Sequence, residues 1–133
     1  MREAVIVSTA RTPIGKAYRG AFNNTSAQEL AGHAIEKAVE RAGIEPGEVN
    51  DVIMGAALQQ GSSGGNIARQ ALIRAGLPVT VPGMSVDRQC ASGMMAIATA
   101  AKQIINDGMD VTVGGGVESI SLVQNDKMNG YRA

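Results

Sequence analysis

The sequence predicts an α/β fold in which helices cover both faces of a mixed, mostly parallel β-sheet. Short β-branched runs, typical of strands, alternate with longer runs that have helical apolar spacing. Glycines and prolines separate the runs, and this order favours parallel strands joined by crossover helices. With 133 residues the chain is long enough for one hydrophobic core.

The first half of the chain is predicted to form a strand, a helix and a second strand. Residues 4–8 are a β-branched apolar run, which is typical of a buried strand. Residues 26–42 have amphipathic spacing, and Ser26 and Glu29 occupy the positions of a capping box. Residues 52–58 are predicted to be the second strand.

The second half continues the alternation after a polar, glycine-rich loop over residues 59–65. A helix is predicted for residues 66–75 and a short strand for residues 84–87. A third helix over residues 90–107 and a last strand within residues 110–117 complete the pattern.

The third predicted helix carries apolar side chains around almost its whole circumference. Such a helix belongs in an interior, because an exposed helix keeps one polar face. A single sheet with helices on both faces would leave it partly exposed. We therefore expect a further layer, either another part of the protein or another chain, to cover it.

Composition argues against several classes of partner. Acidic and basic residues number 12 each, and the aromatic residues are one Phe and two Tyr. Neither a strong field nor stacking side chains favour nucleic acid. No apolar run approaches membrane length, and the N-terminus lacks a signal-peptide pattern, so we expect a cytoplasmic protein without a membrane partner.

Cys90, the only cysteine, is the strongest candidate for chemistry. It lies where the strand over residues 84–87 is expected to turn into the third helix. Free amides and the helix dipole at such a position stabilise a thiolate and can bind the oxygen of a tetrahedral intermediate. The same residue could instead be a small buried apolar side chain, and its position alone leaves both interpretations open.

Four blocks in order resemble the thiolase family of acyl-CoA:acetyl-CoA C-acyltransferases. Residues 86–97 (VDRQCASGMMAI) resemble the block that carries the nucleophilic cysteine of the family. Residues 4–16 (AVIVSTARTPIGK) are similar to its opening strand and loop. Residues 55–70 (GAALQQGSSGGNIARQ) resemble its glycine-rich loop and following helix, and residues 114–119 (GGGVES) resemble a strand end.

The resemblance implies a thiolase-like layered fold of which this chain holds an incomplete N-terminal half. Residues 1–120 would form an α/β half-domain, and residues 121–133 would begin a loop domain that is cut short. The family's histidine and second cysteine belong to a C-terminal half that no segment here matches. We therefore expect the 133-residue chain by itself to be inactive.

The implied reaction is a two-step acyl transfer through Cys90, which makes or cleaves 3-ketoacyl-CoA. Acyl-CoA and CoA would be the substrates, with no permanently bound cofactor and no metal. The family analogy also suggests a homodimer or homotetramer. Ala91 and Gln89 depart from the residues the family often has at these positions, and the departures affect the expected acyl-chain preference more than the reaction type.

Other residues are weaker candidates. His33, the only histidine, is expected on the polar face of the first helix and is not favoured as a catalytic base. Arg69 and Arg74 could contact CoA phosphates, although solvated or ion-paired arginines are more common. The glycines at 114–116 lack the spacing of a phosphate loop, so close strand packing is favoured.

Two further functions remain open from the sequence. A decarboxylating condensing enzyme of the ketoacyl synthase type also places a cysteine at a helix start. A non-catalytic interaction fragment would explain the apolar third helix and the missing acid and base.

Overall fold

The computed structural model describes residues 1–126. These form three layers, in which a three-stranded sheet lies between helices on its two faces. The strand order is β2-β1-β3, and both pairings are parallel. In chain order the elements are α1 (Ala27–Ala42), β1 (Asp51–Gly55), α2 (Ile67–Arg74), β2 (Gly83–Val86), α3 (Ser92–Asp107), β3 (Thr112–Gly116) and α4 (Ile120–Val123), with short 3₁₀ turns at Pro46–Glu48 and Gly61–Ser63.

The central strand β1 divides the core into two clusters. Val52 and Met54 pack in one cluster with α1 and α2, while Ile53 packs in the other with Ala96 and Ala100 of α3. Successive side chains of a strand point to opposite faces, so a fully buried apolar strand supplies both clusters. This arrangement confirms the predicted α/β fold with helices on both faces of a mostly parallel sheet; among the described residues both strand pairings are parallel.

Helix α1 has the ends that its sequence predicts. The Ser26 hydroxyl accepts from the Glu29 amide, the Glu29 carboxylate accepts from the Ser26 amide, and Gly43 ends the helix in the left-handed region at φ 69°. Its buried positions follow the predicted spacing; they are Ala27, Ala31, Gly32, Ile35 and Val39.

The predicted strand over residues 4–8 is wrong for the described part of the chain. These residues form no ladder, and Val5, Ile6 and Val7 are 69%, 79% and 75% exposed. A strand needs a hydrogen-bonding neighbour, and these residues pair with neither of the two outer edges of the sheet, on β2 and on β3. The apolar pattern of residues 4–8 therefore has no pairing partner among the described residues.

Several boundaries also differ from the predictions. β1 ends at Gly55 instead of residue 58, and α3 begins at Ser92 instead of residue 90. The short helix α4 was not predicted, and it spans the expected domain boundary at residues 120 and 121. That boundary stays a prediction, because residues 127–133 lie outside the described residues.

Helix α3 is covered on one side only. Ser92, Ala96 and Ala100 are buried against the sheet, whereas Met94 and Ile97 are 77% and 48% exposed. The apolar surface that the sequence predicted for an interior is therefore open among the described residues. None of the helices in residues 1–126 has the length and hydropathy needed to cross a membrane.

Candidate functional site

Cys90 lies in the turn that joins β2 to α3, at the edge of the sheet where all three parallel strands end. It directly precedes Ala91, the N-cap residue of α3. The cysteine is exposed, so the interpretation as a buried apolar side chain does not describe it. A reagent in solution has access to the thiol in the described chain.

The turn before Cys90 has an unusual backbone. Gln89 has φ 51°, in the left-handed region that side chains with a Cβ rarely adopt. The Asp87 carboxylate accepts from the Gln89 amide at 2.8 Å. On the other side, the Ser92 hydroxyl donates to the Gln89 carbonyl at 2.6 Å and accepts from the Arg88 amide at 2.8 Å. Side chains on both sides of the turn therefore hold the residue that leads into Cys90.

Glycines bring the start of α3 against the ends of two strands. A Cβ at Gly55, the last residue of β1, would lie 2.2 Å from backbone atoms of Ser92. A Cβ at Gly116, the last residue of β3, would lie 3.0 Å from the Gly93 Cα. Side chains at either strand end would push the helix away. The contact fixes the first turn of α3, and with it the Cys90 turn, relative to the sheet.

The first turn of α3 leaves two backbone amides available. Ala91 and Ser92 donate to the carbonyls of Arg88 and Gln89, and the helical pattern begins with Met95 donating to Ala91. The amides of Gly93 and Met94 have no backbone acceptor within residues 1–126. Such unpaired donors at a helix N-terminus favour negative charge next to them.

A hydrogen-bonded brace joins the three strand ends. The Glu118 carboxylate, just after β3, accepts from the amides of Ala57 and Leu58 at 3.0 and 2.9 Å. The Gln59 side-chain amide donates to the carbonyls of Ala56 and Val86, after β1 and at the end of β2. Sequence patterns alone indicate no role for Glu118 or Gln59, although both lie in blocks that resemble the thiolase family.

We expect Glu118→Gln to loosen this brace without unfolding the domain. Glutamine offers one carbonyl oxygen in place of two carboxylate oxygens, so one of the two loop amides loses its acceptor. A hydrogen bond to a charged group contributes about 1.5–3 kcal/mol, less when exposed. Hydrogen exchange of the Ala57 and Leu58 amides should accelerate about tenfold or more.

The same measurement on α1 is the control for Glu118→Gln. Amides of Ile35 and Val39 lie in the core of α1 and should keep their exchange rates. Unchanged exchange at Ala57 and Leu58 in the variant would show that the carboxylate does not hold this loop.

The structure does not bring the other candidates to Cys90. His33 is exposed on α1, on the opposite face of the sheet from α3. Arg69 donates to the carbonyls of Val79 and Val81, which makes it an anchor of the chain before β2. Arg74 is exposed, and its stem packs over Gly32.

Gly114 and Gly116 of β3 pack closely against α3, as the sequence favoured, and Gly115 lies on the other face of the sheet against Met54. A Cβ at Gly114 would lie 2.8 Å from the Ile97 Cα and 3.0 Å from the Ala96 carbonyl oxygen. These contacts leave no room for a ligand between strand and helix. The close approach explains why small residues occupy this strand.

A cavity of about 450 Å³ lies between residues 10–17, α1 and the end of β3. Glu118 is part of its wall, and Cys90 is not. Among residues 1–126, His, Cys, Asp and Glu side chains form no group of three or more that could hold a metal ion.

Comparison with known proteins gives one family. The family model described as "Thiolase, N-terminal domain" matches residues 4–133. A 3-ketoacyl-CoA thiolase of Bacillus subtilis is 42% identical over 123 residues, which are 92% of this chain and 32% of that protein. An acetyl-CoA acetyltransferase of Cupriavidus necator is 46% identical over 121 residues, which are 91% of this chain and 30% of that protein.

The fold has a match among solved structures. The crystal structure of the Bacillus anthracis acetyl-CoA acetyltransferase superposes with a TM-score of 0.85 at 45% sequence identity. The match covers 91% of this chain and 30% of that chain. The present chain therefore spans about a third of the length of the proteins it resembles.

Proposed function

The chain belongs to the thiolase family, whose N-terminal domain it matches, and from this premise we propose that the protein is an acyl-CoA:acetyl-CoA C-acyltransferase with Cys90 as its acyl acceptor. The observation that carries the proposal is the place of Cys90. It is an exposed thiol directly before a helix, at the edge where three parallel strands end. Its relatives named as thiolases and acetyltransferases support the reaction class.

In the first step the Cys90 thiolate attacks the carbonyl carbon of an acyl-CoA. The carbon–sulfur bond to CoA then breaks, CoA leaves as a thiolate that takes up a proton, and the acyl group stays on Cys90 as a thioester. Negative charge develops on the thioester oxygen during the attack. The unpaired amides of Gly93 and Met94 are donors that this chain offers to such charge near the thiol.

In the second step the acyl group leaves Cys90. In the cleavage direction the acyl-enzyme forms when Cys90 attacks the 3-keto carbonyl of a 3-ketoacyl-CoA, the bond between C2 and C3 breaks, and acetyl-CoA leaves as an enolate that takes up a proton. A CoA thiolate then attacks the acyl group on Cys90 and releases it as an acyl-CoA. Alternatively, the enolate formed when acetyl-CoA loses an α-proton attacks it, which makes the carbon–carbon bond of a 3-ketoacyl-CoA. Both routes return the Cys90 thiolate, so the reaction runs in two half-reactions with a covalent intermediate.

Proton transfer in the two half-reactions needs a base and an acid. The single histidine of the chain lies across the sheet, on α1. The relatives are about three times as long as the matched segment. We propose that the base and the acid come from sequence that corresponds to the remaining length of those relatives, and that the 133-residue chain alone is inactive.

The remaining expectations belong to the same proposal. Acyl-CoA and CoA are the substrates, which the names of the acetyl-CoA acetyltransferase relatives support. We propose that the protein needs no permanently bound cofactor, acts in the cytoplasm and forms a homodimer or homotetramer. The open apolar side of α3 supports a covered position for that helix in the working protein.

Incubation of the full-length protein with acetyl-CoA tests the proposal. Trypsin releases residues 89–102, since Arg88 and Lys102 flank a segment without another Lys or Arg, and Cys90 is the only cysteine in it. We expect this peptide to gain one acetyl group that neutral hydroxylamine removes, as it does from a thioester. An acetyl group only elsewhere, or none, would overturn the assignment of Cys90.

A decarboxylating condensing enzyme is the second function that the sequence raised. The family match favours the thiolase reaction over it. A requirement for a malonyl thioester as the carbon nucleophile, in place of acetyl-CoA, would reverse this choice.

A further inference from the structure

The conformation of Gln89 calls for a restraint. Within residues 1–126 only Tyr18 and Gln89 have a positive φ without being glycine. The left-handed region is unfavourable for a residue with a Cβ, so surrounding contacts must hold it. Relaxation of Gln89 would rotate the peptide group that it shares with Cys90.

The Ser92 hydroxyl is placed to supply this restraint. Its donation to the Gln89 carbonyl at 2.6 Å holds the peptide group that also contains the Cys90 nitrogen. The hydroxyl also accepts from the Arg88 amide at 2.8 Å, and this bond holds the peptide group between Asp87 and Arg88. One side chain thus closes the turn from within the helix.

The position of Ser92 itself is fixed. Its residue is 3% exposed, and its backbone lies against Gly55 at the end of β1. A hydroxyl on such a rigid base can maintain geometry more accurately than one on a mobile loop. The Ser92 hydroxyl donates one hydrogen bond and accepts another within the turn. Its place is therefore that of a positioning group and not of a reacting group.

We propose that Ser92 is a positioning residue for Cys90, because its hydroxyl holds Gln89 in the left-handed conformation that sets the thiol in front of α3. The proposal rests on the proposed function of Cys90 as acyl acceptor. It predicts that loss of the hydroxyl affects acyl transfer through the backbone of Gln89.

The test compares wild type with Ser92→Ala and with the double variant Ser92→Ala/Gln89→Gly in the full-length protein. We expect Ser92→Ala to lower the maximal rate of acetyl transfer to Cys90 by roughly ten- to a hundredfold, with a much smaller change in the half-saturating acetyl-CoA concentration. Glycine adopts a positive φ without a steric cost, so the double variant should recover most of the lost rate.

Ser63→Ala is the matched control. Ser63 is 2% exposed, and its hydroxyl has no hydrogen-bond partner in the described chain, so this variant also removes a buried serine hydroxyl. We expect its acetyl-transfer rate to equal that of wild type. Thermal unfolding of every variant separates loss of fold from loss of positioning.

The outcomes distinguish this proposal from the proposed function. Alkylation of Cys90 by iodoacetamide at fixed pH is measured on the same variants, and we expect it to slow in Ser92→Ala and recover in the double variant. If no variant transfers acetyl groups, the proposed function fails, and the alkylation rates still decide the role of Ser92. Equal rates in wild type and Ser92→Ala, or a loss that Gln89→Gly does not restore, would overturn the positioning role.

Discussion

Cys90→Ser should nearly abolish acyl transfer by the full-length protein. A serine hydroxyl is far less ionised than a thiol at neutral pH, so the acyl-enzyme step loses its nucleophile. Removal of a covalent nucleophile commonly costs on the order of 10³-fold or more in kcat. The rate is measured as the cleavage of acetoacetyl-CoA by CoA, which is monitored through the loss of the enolate absorbance of acetoacetyl-CoA.

The fold provides the control for this variant. Cys90 is exposed in the turn before α3, and oxygen replaces sulfur without adding atoms. Cys90→Ser should therefore unfold at the same temperature as wild type within experimental error. An activity close to that of wild type, with an unchanged unfolding temperature, would mean that the acyl group is not carried by residue 90.

Local patterns predicted most of the architecture. The helical spacing and capping box of residues 26–42 gave α1 almost to the residue, because a capping box depends on neighbours three positions apart. The run of residues 52–58 predicted the second strand, and β1 (Asp51–Gly55) is buried on both faces, between the clusters around Val52 and Ile53. Such features depend on residues close in sequence.

Long-range contacts explain the failures. The apolar pattern of residues 4–8 is that of a strand, yet pairing depends on a neighbour that local sequence cannot reveal. The roles of Glu118 and Gln59 were missed for the same reason, since their partners lie up to 61 residues away. Only the folded chain shows which backbone carbonyls and amides lie within hydrogen-bonding distance of these two side chains.

The candidate site was predicted at Cys90 but not in its surroundings. A cysteine between a strand pattern and a helix pattern marks the turn, and the family resemblance marks the residue. The left-handed Gln89 and the two hydrogen bonds of Ser92 could not be predicted, because most residues in a turn permit several backbone conformations. The role of Cys90 as acyl acceptor stays a prediction until it is labelled.

Gly55→Ala should be the most disruptive substitution in the sheet. Its Cβ would lie 2.2 Å from the Ser92 carbonyl carbon and oxygen and 2.6 Å from the Gly93 nitrogen, and these are backbone atoms that cannot rotate away. Helix α3 would have to move, which breaks its packing on Ile53 and displaces the Cys90 turn. Overpacking of this kind costs about 3 kcal/mol, at the upper end of its usual range.

Urea denaturation of three alanine variants tests this argument, because the crowding differs by position. A Cβ at Gly116 would lie 3.0 Å from the Gly93 Cα, and one at Gly47 would lie 3.8 Å from the Pro78 ring, an ordinary contact. We expect the loss in free energy of unfolding to fall from Gly55→Ala to Gly116→Ala to Gly47→Ala, with the last below about 0.5 kcal/mol. Acetyl transfer to Cys90 should follow the same order, since the contact that excludes a Cβ at Gly55 is the one that fixes the start of α3. Equal midpoints for Gly55→Ala and Gly47→Ala would show that α3 is not held against β1 as described.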